Sequence, residues 1–319
     1  MTDNSWIKAT KVVDTALGVL QREVVLPNLL WRDALSPAEF RGVVGDTVTI
    51  RVPAYATAHK RTLRTRSKLT IDQLAETSVD VKLDTDVYKG VRITDEDMTL
   101  DIRDFMTQVL MPVMSSIREG IEDECADTIS GATYTLTGEF SESNPLKSVL
   151  SAGRMLTDCR VPQSGRVFAC GSEIQQIILE YLAGRESGAS NEQSALNDAT
   201  IAQSFGGFRP VVVPGFAPDE AYAFHKTAFP YVNTSPVVPG GAAWGESRSF
   251  DGYAMRVIRD YDADYTEDRV IGSSWLGLGV TLDNGELNDD GQFVPFEDED
   301  EIGSGTPILV RAVKLTLGS

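Results

Sequence analysis

The sequence predicts an α+β fold organised around one long helix, and three observations carry that prediction. From Ile102 to Ile129, apolar residues recur at helical spacing through Phe105, Met106, Val109, Leu110, Val113, Met114, Ile117, Ile121 and Cys125. Just upstream, Val81, Leu83, Val87, Val91 and Ile93 alternate with polar partners, which is strand periodicity. Further along, short helical and strand-like patterns alternate between glycine corners, as in a compact α/β domain.

The helix is the spine of the prediction. Thr94 or Thr99 can cap its start, and Asp95, Glu96, Asp97 and Asp101 place negative charge where the helix dipole is positive. Its polar face carries Arg103, Asp104, Gln108, Glu119, Glu122, Asp123 and Asp127. Read as one element it runs for about 30 residues, or about 45 Å. Pro112 removes a backbone donor, so a kink is expected there rather than two separate helices.

Composition narrows the class. The 319 residues can bury one large core or two modest ones, and 42% hydrophobic with 24% charged content is that of a folded soluble protein. A formal net charge of −18 repels free phosphate backbones and disfavours a nucleic-acid-binding module. It suits equally an acidic enzyme or a protein that lines a container of DNA without adhering to it. Cys125, Cys159 and Cys170 are an odd number without close pairing, which reads as reduced structural residues of a cytoplasmic protein. The N-terminus lacks the apolar core of a signal peptide, and no run approaches the ~20 residues that span a bilayer. The expectation is a protein made and kept in the cytosol.

Taken in order, residues 1–35 read as an N-terminal arm. Val12 to Val25 fit a helix ended by Pro27, and Leu29, Leu30 and Trp31 form an apolar knot. That knot either docks on another copy or packs on its own domain. Gly45 to Val52 is a clean strand closed by Pro53, and Ser78 to Val87 is its return. Between them lies a polar excursion carrying Arg51, Lys60, Arg61, Arg64, Arg66 and Lys68, with no acid between Asp46 and Asp72. With so few apolar residues it cannot build a core, so it reads as a long hairpin reaching from the body. A solvated loop or a nucleic-acid patch is the plain alternative. The sharper reading lays its cationic tip on acids of a neighbouring copy's spine helix.

After the spine, GATYTLTGEF reads as a small hairpin, and Asn144 caps a helix with Leu146, Val149, Leu150, Met155 and Leu156 facing inward. GRVFACG is a buried strand, Ser172 caps the next helix, and residues 184–197 form a Gly/Ser/Asn-rich loop. FRPVVVPGF, AYAFH, GYAMRVIRDYD and RVIGSSWLGLGVTL are further strands of the α/β domain. Residues 283–301 hold nine acids and no base, which reads as a solvated acidic loop, because the glycine and ligand spacing of a calcium loop is missing. TPILVRAVKLTL closes the chain as a strand rejoining a sheet.

The search for chemistry is mostly negative. GSSWLG is not a nucleophile elbow, no phosphate-cradling glycine loop follows a strand, and no Cys/His pair has zinc spacing. Asp260, Asp262 and Asp264 could serve as acid and base, but alternate acids are as readily a strand edge or turn. No catalytic, metal or cofactor-binding residue is therefore assigned.

A short arm, a basic hairpin, VYKGVRITDEDMTLDIRDF leading into a long helix, and then an α/β domain together resemble tailed-phage major capsid proteins of the Hong Kong 97 fold. TVTIRVPAYA and the later AYAFHKTAFPYV and DGYAMRVIRDYDADYTEDRVIG are similar to actinophage-type coat proteins. The resemblance implies an N-terminal arm over 1–40, an extended loop over 41–90, and a peripheral domain with the spine over 91–144. It further implies an axial domain over 145–282, an acidic loop over 283–304, and a C-terminal strand over 305–319. It implies assembly of pentamers and hexamers into an icosahedral shell around double-stranded DNA in a virion, built in the host cytoplasm without enzymatic activity. The contact residues would be the finger cations Arg51, Lys60, Arg61, Arg64, Arg66 and Lys68 and the spine acids Asp101, Asp104, Glu119, Glu122 and Asp123, with Leu29, Leu30 and Trp31 anchoring the arm. Implied partners are further copies, a separate scaffolding protein, a portal and a decoration protein, with no cofactor, membrane or sequence-specific nucleic acid. Family members that crosslink join a loop lysine to an asparagine of another subunit. Lys60 and Lys68 sit in that loop, yet nothing identifies the asparagine, so no crosslink is expected. An encapsulin-type nanocompartment shell and an acidic hydrolase using Asp260, Asp262 or Asp264 are the alternatives.

Overall fold

The computed structural model describes residues 25–32, 47–52, 58–64, 68–69, 71, 77–102, 104–183, 205–250, 253–296 and 305–318. The expected arm helix and the 184–197 loop lie outside them. The first described element is α1 (Leu26–Leu29). Pro27 sits in its first turn and so begins a helix instead of ending one, because the missing N–H costs nothing there.

The alternation read upstream of the spine builds one long antiparallel sheet. β1 (Thr47–Val52) pairs with β2 (Thr77–Thr94) in the register Thr47↔Lys82 to Val52↔Thr77. A spine follows, but it is not one continuous helix. A π-helical turn over Asp97–Asp101 gives way to extended backbone at Ile102, where ψ is 115°. Helical turns then resume, π-helical over Met106–Leu110, and tighten into α2 (Met111–Gly131). Pro112 occupies the first turn of α2, so the proline that predicts a kink marks where the regular helix starts.

The sequence reading assigns the next long strands to the α/β layer, and the structure corrects this. β3 (Leu136–Phe140), α3 (Pro145–Asp158), β4 (Arg166–Cys170), α4 (Ser172–Ala183), β5 (Pro210–Val212) and β6 (Glu220–His225) do belong to that layer. After β7 (Tyr231–Thr234) and β8 (Trp244–Phe250), however, β9 (Tyr253–Asp262) and β10 (Glu267–Leu278) join β2 in the order β1-β2-β10-β9-β8, with β7 on the end of β10. Length explains the choice. The 12-residue β10 finds in the 18-residue β2 a partner that can satisfy its amides, and the 10-residue β9 finds one in β10, whereas β4 to β6 are 3 to 6 residues long.

α2 lies across this sheet with Val113, Ile117, Ile121, Cys125, Ala126 and Ile129 buried, while Met114, expected on the same stripe, is exposed. Two glycines set the close approach. A Cβ on Gly272 would stand 2.4 Å from Ile117 Cδ1, and one on Gly120 would stand 2.8 Å from Val87 Cγ1.

The α/β layer is a sheet in the order β3-β13-β6-β4-β5, closed by β13 (Ala312–Leu317), with a core that includes Phe140, Val149, Leu156, Phe168, Ile174, Ile178, Val313 and Leu315. Asn144 Oδ1 accepts the Lys147 amide at 3.3 Å, as the cap reading requires. The segment read as a hairpin is instead the single strand β3, parallel to β13. Leu150 is exposed, because the inward face of α3 is carried by Val149, Ala152 and Leu156.

Part of the acidic stretch is structured too. β11 (Gly285–Leu287) and β12 (Phe293–Pro295) form a small hairpin that buries Phe293, and residues 297–304 lie outside the described set. Asp283 accepts Arg311 Nε at 2.8 Å and Nη2 at 2.5 Å. Arg311 Nη1 also donates to Thr227 Oγ1 at 3.1 Å, and that hydroxyl lies 2.8 Å from His225 Nδ1. These contacts fasten the chain entering β13 to the end of β6. A cleft of about 320 Å³ lies there, and its charged Asp283 and Arg311 are already paired.

Candidate assembly surfaces

The β1–β2 ribbon has its own small apolar base. Ile50, Val79, Val81 and Val232 are buried there, with Trp31, Val48 and Leu83 packed against them. Beyond Val52 and Thr77 this support ends. Every described residue between them is exposed, including Lys60, Arg61, Arg64 and Lys68. Among the described residues of the finger the large aliphatic side chains are exposed as well: Leu63 by 91%, Leu69 by 61% and Ile71 by 90%. Arg64 takes a left-handed backbone at φ 70°, so the tip turns without a glycine. Arg51 is exposed at the root of the finger, and Arg66 lies outside the described residues.

The arm knot packs on its own chain. Leu26 and Leu30 are buried in the main core with Ile121, Cys125 and Ile129, and Leu29 packs against it. Trp31 bonds to the strand ahead of it: its amide donates to Phe229 O at 3.1 Å, and Tyr231 N donates to Trp31 O at 3.1 Å. Leu29, Leu30 and Trp31 therefore pack this strap, residues 25–32, against its own chain, one of the two readings that the sequence allows.

The spine acids separate into different roles. Glu122, expected on the polar face, is fully buried. Its carboxylate accepts the Val25 amide at 3.2 Å and the Leu26 amide at 3.0 Å, so it pins the strap to α2 and offers nothing to a neighbour. Sequence periodicity missed this because the strap covers a helix face that would otherwise be wet. Asp104 is exposed, but its carboxylate accepts Thr107 Oγ1 at 2.5 Å while its amide donates to Gln108 Oε1 at 3.0 Å, the pattern of a helix cap. Glu119 is half-buried and accepts Ser115 Oγ at 3.4 Å. Asp123 is exposed, and the side chain of Asp101 lies outside the described residues.

Of the carboxylates weighed for catalysis, Asp260 and Asp262 are held in a cross-strand ladder, and Asp264 is exposed in the turn between β9 and β10. Asp260 and Asp262 bracket Arg269 at 2.8 and 3.3 Å, Arg259 pairs with Asp268, and Arg92 reaches Glu267 at 3.5 Å. The outward face of β2 carries Asp80, Lys82, Asp84, Asp86 and Tyr88, all exposed. Register sets Trp275 of β10 opposite Asp86. The period-2 pattern of DVKLDTDVY contains this row as the polar side of a strand.

The three cysteines are buried free thiols, and burial raises their pKa values, to about 11 for Cys159 and about 12 for Cys170. Among the described residues no helix is long and apolar enough to cross a membrane.

With this geometry in hand, the chain can be set beside known proteins. No curated protein sequence matches it. Among solved structures it is similar to a chain of Mycobacterium phage Che8, with a TM-score of 0.63 and 18% identity over 98% of each chain. The capsid structure of cyanophage P-SCSP1u aligns with a TM-score of 0.63 and 12% identity, over 98% of this chain and 93% of that one. The capsid of Ralstonia phage GP4 aligns with a TM-score of 0.60 and 10% identity, over 98% and 96%. At such identities these likenesses speak for the fold, which is of the Hong Kong 97 type. The family profile described as phage capsid protein matches residues 76–274, from the returning strand of the finger through the spine to β10. That match favours a phage shell over the nanocompartment and the hydrolase, and it assigns the protein a shell-forming role in the virion capsid. The profile covers more than half of the sequence, and the chain belongs to the phage capsid protein family.

Proposed function

We propose that copies of this chain hold one another chiefly through the finger that rises from β1 and β2, and that no bond is made or broken in the process. The observation that carries this reading is the exposure of Leu63, Leu69 and Ile71 beside Lys60, Arg61, Arg64 and Lys68, on a segment with no core of its own. Covering an aliphatic side chain stabilises by about 1.5–3 kcal/mol, whereas an exposed ion pair contributes about 0.2–1 kcal/mol. The aliphatic residues therefore supply most of the association energy, and the cations set register and salt sensitivity. Contacts that are weak singly allow errors to be corrected, and closed symmetry makes many act together. Pentamers and hexamers of the shell are the assemblies this contact would build, and scaffolding, portal and decoration proteins are the further partners that the family suggests.

The test is to mix protein carrying Arg61→Glu and Arg64→Glu with wild type and count shells by electron microscopy. The expected result is loss of shells as the variant fraction rises. Unimpaired shell formation at all fractions would refute the role of the finger.

A further inference from the structure

We infer that the surface receiving a neighbouring copy's finger is the outer face of the β2–β10 pair, where Asp84, Asp86, Tyr88 and Trp275 stand together. This rests on the reading of the finger given above and names its acceptor, which the sequence alone placed on the spine helix.

The finger dictates what its acceptor must offer. It presents exposed cations interleaved with exposed aliphatic side chains, so the complement is acid interleaved with apolar surface. Among the described residues of the spine helix that combination is missing. Glu122 is buried under the strap, Asp104 caps its own turn, and Glu119 is half-buried. Asp123 and Asp127 remain exposed, but the exposed methionines of α2, Met111 and Met114, lie about two and a half turns or more toward its N-terminus.

The outer face of β2 has both properties in one place. Side chains two apart on a strand share a face, so Asp84, Asp86 and Tyr88 form one row about 13 Å long. Trp275 stands directly across from Asp86, and Ser273 stands across from Tyr88, which makes Trp275 and Tyr88 diagonal neighbours flanking the acids. Tyr88 is 71% exposed and Trp275 43%, large aromatic surfaces left open on a sheet whose other face is covered by α2. Aromatic side chains ringed by polar groups are the usual anchors of protein–protein contacts. The nearest cation across the sheet, Arg256, does not oppose the docking, because its guanidinium is drawn aside to Val237 O at 2.8 Å and Ser273 Oγ at 2.9 Å. Lys82 flanks the row at its far end and sets a limit to the acidic patch.

The occupant is therefore a second copy of this chain: Leu63, Leu69 and Ile71 against Tyr88 and Trp275, with finger cations against Asp84 and Asp86. Two measurements test it. In assembled wild-type particles made from mixed isotope-labelled and unlabelled protein, carbodiimide coupling joins amines to adjacent carboxylates. Intermolecular links from Lys60 or Lys68 to Asp84 or Asp86 are expected, and links to Asp123 or Asp127 instead would overturn the assignment. The second measurement uses charge exchange. Protein with Asp84→Lys and Asp86→Lys should form no shells alone, and neither should protein with Arg61→Glu and Arg64→Glu, while a single chain carrying all four substitutions should regain them. Shells from the β2 variant alone would overturn the acceptor and leave the finger's role intact. Shells from the finger variant alone would instead sink the reading on which the acceptor depends.

Discussion

The α/β layer and the finger both carry aliphatic side chains and differ in what each can bury. In the layer, Phe140, Phe168 and their aliphatic neighbours are covered by two helices and by a closing strand from the far end of the chain. Among the described residues of the finger, apolar contact stops at the small cluster around Ile50, Val79, Val81 and Val232, and Leu63, Leu69 and Ile71 beyond it face water. The layer is therefore stable in one molecule. The finger would gain comparable stabilisation only where another surface covers it, which is what the proposed contact between copies supplies.

The largest expected effect breaks the self-sufficient side of this contrast. Phe168→Ala removes a fully buried ring from the layer and should cost about 3–5 kcal/mol, read as a lower denaturation midpoint of the unassembled subunit. Next in size, Glu122→Gln weakens the carboxylate that accepts the Val25 and Leu26 amides, a loss of about 1–3 kcal/mol; proteolysis should then release the strap before the body. Gly272→Ala should cost a similar ~1–3 kcal/mol by pressing a methyl group on Ile117, lowering the same midpoint.

A milder, reversible loss is expected from acid. His225 accepts the Thr227 amide on Nδ1 and faces Ser164 O with Nε2, the arrangement of a neutral ring. Burial first, and then Arg311, Lys226 and Arg166, hold its pKa below 6.5, against a hydrogen bond to Ser164 that raises it. The unfolded chain thus binds the proton more readily than the folded one. The contribution is whole above pH 6.5 and declines as pH falls through that value toward the folded pKa. His225→Gln should flatten that slope in thermal melts of the subunit between pH 7 and 5. The smallest effect on the subunit sharpens the comparison most. Leu63→Ser with Ile71→Ser should shift subunit stability by no more than about 0.5 kcal/mol, yet shells should be lost. A marked drop in subunit stability would mean that the finger packs on its own body.

Much of the architecture was legible in the residues because strand and helix periods are local. The alternation in β1, β2 and β13, the cap at Asn144, and the apolar stripe Val113–Ile117–Ile121–Cys125–Ile129 each follow from side chains a few positions apart. The strap was not legible in the same way. Glu122 reads as a surface acid until an apolar segment about a hundred residues earlier in the chain lies over it and supplies two amides. Helical spacing likewise could not show the break at Ile102, between the π-helical turn that follows β2 and the helical turns that lead into α2.

By itself the sequence determined the class of fold, the cationic finger without a core, and the acidic charge, because composition and short-range pattern decide what can be buried. Only the tertiary structure decided which long strands pair with β2, that the arm knot packs on its own chain, and which of the described acids are exposed. Those outcomes depend on matching strand lengths and on which distant segments cover a given face, quantities that no local window of residues contains.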